Sequence, residues 1–525
     1  MEKINGRKLS LIFIFILILL VIALLVGKFT YSYLGPTISD DLETQGEVTA
    51  SGDTLIFTKG NNLSLSATTD NFATGGSNLS TTTNPKVKLV ASTKTNQADA
   101  TYYVGVLIKN NTYVYTTSGK TPELILTIKD EKGNNVSSGV DGLTYVTSGG
   151  VSGFDVTGKT GLFNIKTDYP ISTTSSSTGT THTWTFTLTF VNLGTDQSEN
   201  ENASMNVDIY LQKTKVPSTL ADVCTSGVNL ADCIVTLNDK STSSVSNIYY
   251  HDSTLANGAG DNSYRYAGAS DSVNNYICLG SDAATCPTDN LYRIIGVIND
   301  KVKLIKYDYA TSTLLGTDGD YSGSDTPDTN YYKGSLTSIN TYYWNDATAT
   351  NIWSESLLNK TNLNTNFINN IGSPWANKIA TTTWKVGGNT LDNIVYSVPS
   401  VAYQNEIVSP SENTTYDAKI GLVYASDYGF AASPSAWTTT LYNYDGNDAT
   451  GTSIKTINWM YMGYDDWTIS RDSDTSDYAF FVDDDGGVSG DVVRVYSGVR
   501  PSFSLETSVT YVSGDGTQNS PIRIN

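Results

Sequence analysis

From Asp465 to Leu505 apolar and polar residues alternate in short runs, with glycine and aspartate between the runs. That period belongs to strands that lay one face on a core. Trp467-Thr468-Ile469-Ser470-Arg471 alternates cleanly, Ala479 to Val482 is rich in strand formers, and Val492 to Val495 makes a third run. Asp483-Asp484-Asp485-Gly486-Gly487 is turn chemistry, because glycine takes positive φ without strain. Gly498 to Leu505 closes the stretch with a fourth alternating strand. Pro501 lacks a ladder donor and so places that strand at a sheet edge. The expectation is a four-strand meander. Trp467, Arg471 and Arg500 have structural roles in it, and Arg500 forks onto a carboxylate or onto carbonyls.

A Trp-x-x-x-Arg strand at Trp467 and Arg471, aromatic and valine strands about a glycine turn, and Gly498-Val499-Arg500-Pro501 together resemble the C-terminal core of the C-type-lectin-like fold. The likeness is to the branch that holds formylglycine-generating-enzyme-like domains, the variable proteins of diversity-generating retroelements and surface domains of gut Firmicutes. It covers roughly Tyr264 to Asn525. The resemblance implies ligand-binding loops on a rigid, twisted sheet. The cysteines do not form the oxidising pair expected near the C-terminus of formylglycine-generating enzymes, so that activity is not carried over.

At the other end, Lys3, Arg7 and Lys8 precede an apolar run from Leu9 to Val26. The run approaches the ~20 residues that cross a hydrocarbon core. No small-x-small site follows it, which favours an uncleaved signal anchor over a cleaved signal peptide. The basic flank then stays cytoplasmic and the rest of the chain is extracellular, with the cytoplasmic membrane as a partner.

The 525 residues carry 32 Lys+Arg against 52 Asp+Glu, a formal net charge of −20. Nucleic acid is excluded as a general partner, because phosphate binding needs a basic footprint. The four cysteines, Cys224, Cys233, Cys278 and Cys286, are disulfide candidates. Two local loops, Cys224 with Cys233 and Cys278 with Cys286, are the simplest of three pairings; free thiols are the alternative.

The fold class expected is multidomain: an N-terminal transmembrane helix, an all-β sandwich, then an α+β C-type-lectin-like domain. The divisions are a basic cytoplasmic tail at 1–8, the transmembrane anchor at 9–27, a stem at 28–46, a β-sandwich stalk at 47–215, a cysteine-bearing connector at 216–262 and a head at 263–525. The stalk rests on period-two runs such as Trp184 to Phe190 and Met205 to Leu211. It loosely resembles camelysin-like secreted β-sandwiches. In the head, Leu291 to Ile298 and Lys301 to Lys306 flank Asn299-Asp300, a hairpin signal. Helices are expected from Leu357 to Ile371, with Gly372 as the stop, and again from Ser373-Pro374.

For chemistry the chain offers no Gly-x-Ser-x-Gly elbow, no His-Glu-x-x-His and no phosphate loop. Asp318, Asp320 and Asp325 make a carboxylate-dense loop in which calcium is the conceivable ion; no other cofactor is indicated. Trp437, Tyr442, Tyr444, Tyr461 and Tyr464 are interleaved with Asn, Asp and Gly, the composition of adaptable recognition loops. The reading is a membrane-anchored bacterial cell-surface recognition or adhesion protein that binds a glycan or protein through these loops. The alternatives are an envelope enzyme such as a carboxylate-based glycosidase, and a structural envelope component without a discrete ligand.

Overall fold

The computed structural model describes residues 44–48, 52–72, 75–109, 111–317, 329–331, 338–345, 350–445 and 454–525. The expected membrane segment 9–27 lies outside these residues, as do Asp318, Asp320 and Asp325. Among the described residues no helix is long and apolar enough to cross a membrane. The α-helix Leu230–Lys240 runs 11 residues, about half the length a spanning helix needs. The signal anchor, its cytoplasmic-membrane partner and the single-pass extracellular placement are therefore not supported and are set aside. Strands make up 35% of the chain and helices 18%. This corrects the expected fold class: the structure is mostly β-sheet, in several sheets joined by short helical turns, with no transmembrane helix among the described residues, and its β-rich character is compatible with the expected sandwich.

The chain divides into two compact units near Thr214. The first holds three sheets. One runs Thr44–Val48, Thr54–Thr58, Lys86–Val90, Thr180–Thr183; another runs Gly161–Thr173, Ala98–Lys109, Ser204–Gln212, Leu63–Ser66. The third has five strands in the order Leu79–Thr83, Thr185–Phe190, Leu124–Lys129, Val151–Asp155, Thr144–Ser148. Alternation drives the pairing: Val87 and Leu89 turn inward between lysines, and Leu63 and Leu65 between serines. Glu123 is fully buried in this unit, where its carboxylate accepts from the Thr116 N–H and hydroxyl, from Gln197 Nε2 and from Asn200 Nδ2. Four donors offset the desolvation that makes a lone buried carboxylate costly.

The second unit comprises Lys215–Asn525, which takes in residues 216–262, together with the short segments Leu107–Asn111 and Lys159–Phe163. Leu230, Cys233, Ile234 and Leu237 of the helix Leu230–Lys240 belong to its core. Cys224 is bonded to Cys233 and Cys278 to Cys286. The main sheet runs Ile248–His251, Ser263–Tyr266, Leu291–Ile298, Lys301–Lys306, Ser502–Ser504, with Tyr276–Cys278 also on Leu291–Ile298. Asn299 and Asp300 have φ of 51° and 60°, so the hairpin closes through a two-residue turn with both residues left-handed. Gly296 lies at a bulge, where an added Cβ would meet the Tyr264 carbonyl oxygen at 2.0 Å.

The final stretch departs from the meander expected of it. Asp466–Asp472, Tyr478–Val482 and Val488–Val492 form a four-stranded sheet with Gly388–Asn389, which lies parallel to the first of them. Ser502–Ser504 leaves that sheet and forms the edge of the other, against Lys301–Lys306. The third strand lies earlier than Val492–Val495, because Gly486 at φ 98° turns the chain at once. Asp466–Asp472 is almost wholly buried, not half-exposed. Its polar side chains stay inside because they are bonded: Thr468 Oγ1 donates to Phe480 O and Ser470 Oγ to the Glu406 carboxyl. The expected helix from Leu357 to Ile371 forms as a π-helical run Leu358–Phe367 followed by one α-turn, Ile368–Ile371, and stops at Gly372 with φ 82°.

Candidate recognition site

The five aromatic residues expected to form recognition loops do not share one surface. Trp437 is 1% exposed; its Nε1 donates to Ala432 O, and its ring packs on Tyr249, His251 and Phe430. Tyr444 is 0% exposed, and its hydroxyl reaches the carbonyls of Gly429 and Ala436. Tyr464 is partly buried and linked to Tyr309, whose hydroxyl donates to Tyr464 O and accepts from Tyr464 N. Tyr461 donates its hydroxyl to Asp484 O. Only Tyr442 is open, at 47%.

Tyr442 has a partner that the sequence did not single out. Tyr396 is 51% exposed, and the two ring centroids are 5.3 Å apart with planes at 54°. Backbone bonds hold the pair: Tyr442 N donates to Val395 O, Leu441 N to Ser397 O, and Val488 N to Leu441 O. The elements beneath are short and capped. Thr390 caps Leu391–Ile394 through its side chain, and Pro399 opens Pro399–Tyr403 at a first position that needs no N–H. Ile394, Val395, Ala402 and Tyr403 are buried, while Leu391, Tyr396 and Val401 face outward. Asp392, Gln404 and Asn443 are exposed and Asn393 is half-buried on these same segments, and their side chains make no hydrogen bond among the described residues. The signal for Tyr396 was faint: one tyrosine after two aliphatic residues and before Ser397-Val398-Pro399.

The turn after Val482 adjoins this face, since a Cβ on Gly487 would lie 2.7 Å from Tyr442 O. On the same turn Asp483 and Asp484 approach Asp465, with carboxylate oxygens within 4.8 Å of one another. Burial, then the charges of Asp483 and Asp484, push the Asp465 carboxyl up to about 6. The three are the group among the described residues that satisfies the distance condition for sharing a cation.

The charged residues deeper in the unit are structural. Arg500, 3% exposed, donates from Nε to Asp466 Oδ2 at 2.7 Å and from Nη2 to Met460 O at 2.7 Å. Arg471 donates to Val386 O, Asn351 Oδ1 and the Glu412 carboxylate. Trp467 is fully buried and gives its Nε1 to Tyr342 O. Asp427 accepts from Lys303 Nζ at 2.6 Å and Arg265 Nη1 at 2.9 Å. Burial pushes the Asp427 carboxyl up, but Lys303 and Arg265 outweigh it, and the net shift is downward. Burial, then Arg265, holds His251 near 3, so it is neutral at ordinary pH. Arg293 lies between the Tyr276 and Trp459 rings and spends its donors on Asn275, Ser270, Trp459 O and Val273 O. These groups are buried or half-buried, and the arginines, Lys303 and Asp427 are paired.

No family model, curated protein or solved structure matches this chain.

Proposed function

We propose that this is a recognition protein that binds carbohydrate on the Tyr396–Tyr442 face of its second unit. One observation carries the reading: two half-exposed tyrosines touch each other on backbone-bonded segments, with Asp392, Asn393 and Asn443 beside them. A sugar ring presents an apolar face to an aromatic ring and hydroxyls to a polar fringe, and tyrosine supplies both at little cost in side-chain entropy. Five of the nine large exposed apolar residues in the described chain, Leu391, Tyr396, Val401, Val408 and Tyr442, fall between residues 391 and 442, and Tyr396 and Tyr442 among them are in ring contact. A cluster of that kind marks an interaction site, where scattered apolar residues do not. Among the described residues of the first unit only Val114 is comparable, so that unit serves as a spacer in this reading. Both disulfides suit an oxidising compartment.

The test is a glycan array probed with the full chain and with Tyr442→Ala and Tyr396→Ala. Binding that either substitution weakens about tenfold or more, without a change in melting temperature, supports the reading. Binding that survives both, or a wild-type chain that binds no glycan, refutes it.

A further inference from the structure

The charge around the tyrosine pair narrows the ligand further, and this step rests on the recognition reading above. The segments that build the face are Leu391–Ile394, Pro399–Tyr403, Gln404–Val408, Tyr442–Tyr444 and the edge strand Val488–Val492 with its turn. Residues 386–418 and 472–493 contain no lysine or arginine, and neither do residues 441–445. The same segments supply Asp392, Asp445, Asp484, Asp485 and Asp491. Asp392 lies in the helical turn Leu391–Ile394 and Tyr396 in the turn that follows it, where Val395 N and Tyr396 N both donate to Leu391 O. The rings diverge by 54°, so each keeps an open face whose quadrupole attracts a cation.

We infer that the ligand is an oligosaccharide of amino sugars with free ammonium groups, not a neutral or uronic-acid glycan. The sugar ring stacks on Tyr442 or Tyr396, and its ammonium faces Asp392 and the neighbouring ring. A uronate at the same place meets the carboxylates of these segments, which themselves carry no lysine or arginine, and that opposes binding. Each ammonium contact is solvent-exposed and individually modest, so the preference is built from a few of them and fades as salt screens it.

The experiment is calorimetric titration of the full chain with three oligosaccharides of equal length: β-1,4-linked glucosamine, its N-acetylated counterpart and an oligogalacturonate. Expected is binding of the glucosamine oligomer about tenfold tighter than the N-acetylated one, with no binding of the uronate. The gap should narrow at high salt and in Asp392→Asn, and Tyr442→Ala should weaken both amino-sugar ligands. Equal or tighter binding of the N-acetylated oligomer or the uronate overturns the charge inference and leaves carbohydrate recognition standing. If none of the three binds and the array is also blank, both fall; if the array shows another glycan class, only the present inference does.

Discussion

Replacing Asp427 by alanine tests the claim that a buried ionic cluster holds the second unit together. Asp427 is 3% exposed and is the carboxylate shared by Lys303, at 2.6 Å, and Arg265, at 2.9 Å. Arg265 keeps Asp261 at 3.0 Å when Asp427 is lost. Lys303 keeps only the Tyr424 and Trp384 rings, at 4.8 and 5.4 Å. A buried cation stripped of its carboxylate typically costs about 3–5 kcal/mol. The lost bond from Tyr424 N, which caps Ala425–Ala431, accounts for about 1 kcal/mol of that. At the usual scaling this lowers the melting temperature by roughly 10 °C. Tryptophan fluorescence reports the right unit, because seven of the eight tryptophans follow residue 340 and only Trp184 lies in the first unit. The sign of the pH dependence follows from the lowered carboxyl. Its contribution is full above the unfolded value of about 3.9 and is lost as pH falls through the lower folded value. The gap between wild type and variant is therefore open at neutral pH and closes in acid. A drop below about 2 °C at neutral pH would refute the argument. So would failure of an apolar replacement of Asp427, Lys303 and Arg265 together to recover part of the loss, since such triads are replaceable by packed apolar groups.

Asp465, raised to about 6 by burial and by Asp483 and Asp484, behaves in the opposite sense. Its folded carboxyl holds a proton that the unfolded one releases, so stability rises as pH falls from about 6 towards 4. Asp465→Asn should stabilise the protein at neutral pH by about 1 kcal/mol after allowance for solvent screening, with the gain vanishing below pH ~4; denaturant melts across that range check it. Gly296→Ala forces a Cβ onto the Tyr264 carbonyl oxygen, 2.0 Å away. A loss of about 1–3 kcal/mol in denaturation follows, and a neutral result would mean that the bulge can relax. Cys278→Ser with Cys286→Ser opens a loop of sequence separation 8 and should cost about 2–3 kcal/mol, seen as a lower denaturation midpoint that lies above that of reduced wild type, which also loses Cys224–Cys233.

The strands of the first unit were legible because each repeats its own pattern: Lys86–Val90 and Ser204–Gln212 lie where the alternation put them. The turn at Asn299-Asp300 was legible because left-handed φ needs those residue types. The candidate site was only partly legible. Tyr442 and Tyr444 sit two residues apart in the same polar run, yet one is 47% exposed and the other 0%. What separates them is a pair of carbonyls, at Gly429 and Ala436, that receive the Tyr444 hydroxyl. No local pattern records those acceptors.

Period, turn chemistry and composition determined that this chain is rich in strands, where many of them begin and end, that it carries an acid excess, and which cysteines are near enough to pair. These are short-range matters, settled by φ/ψ preference and by which residues fall on one face of a strand. Tertiary structure decided that the strand Asp466–Asp472 is buried on both faces, that Ser502–Ser504 joins a different sheet, and that Tyr396 meets Tyr442. Each of those outcomes depends on a partner far along the chain, such as Glu406 for Ser470 or Leu304 for Ser502. Burying a polar group is favourable only once its distant partner has arrived.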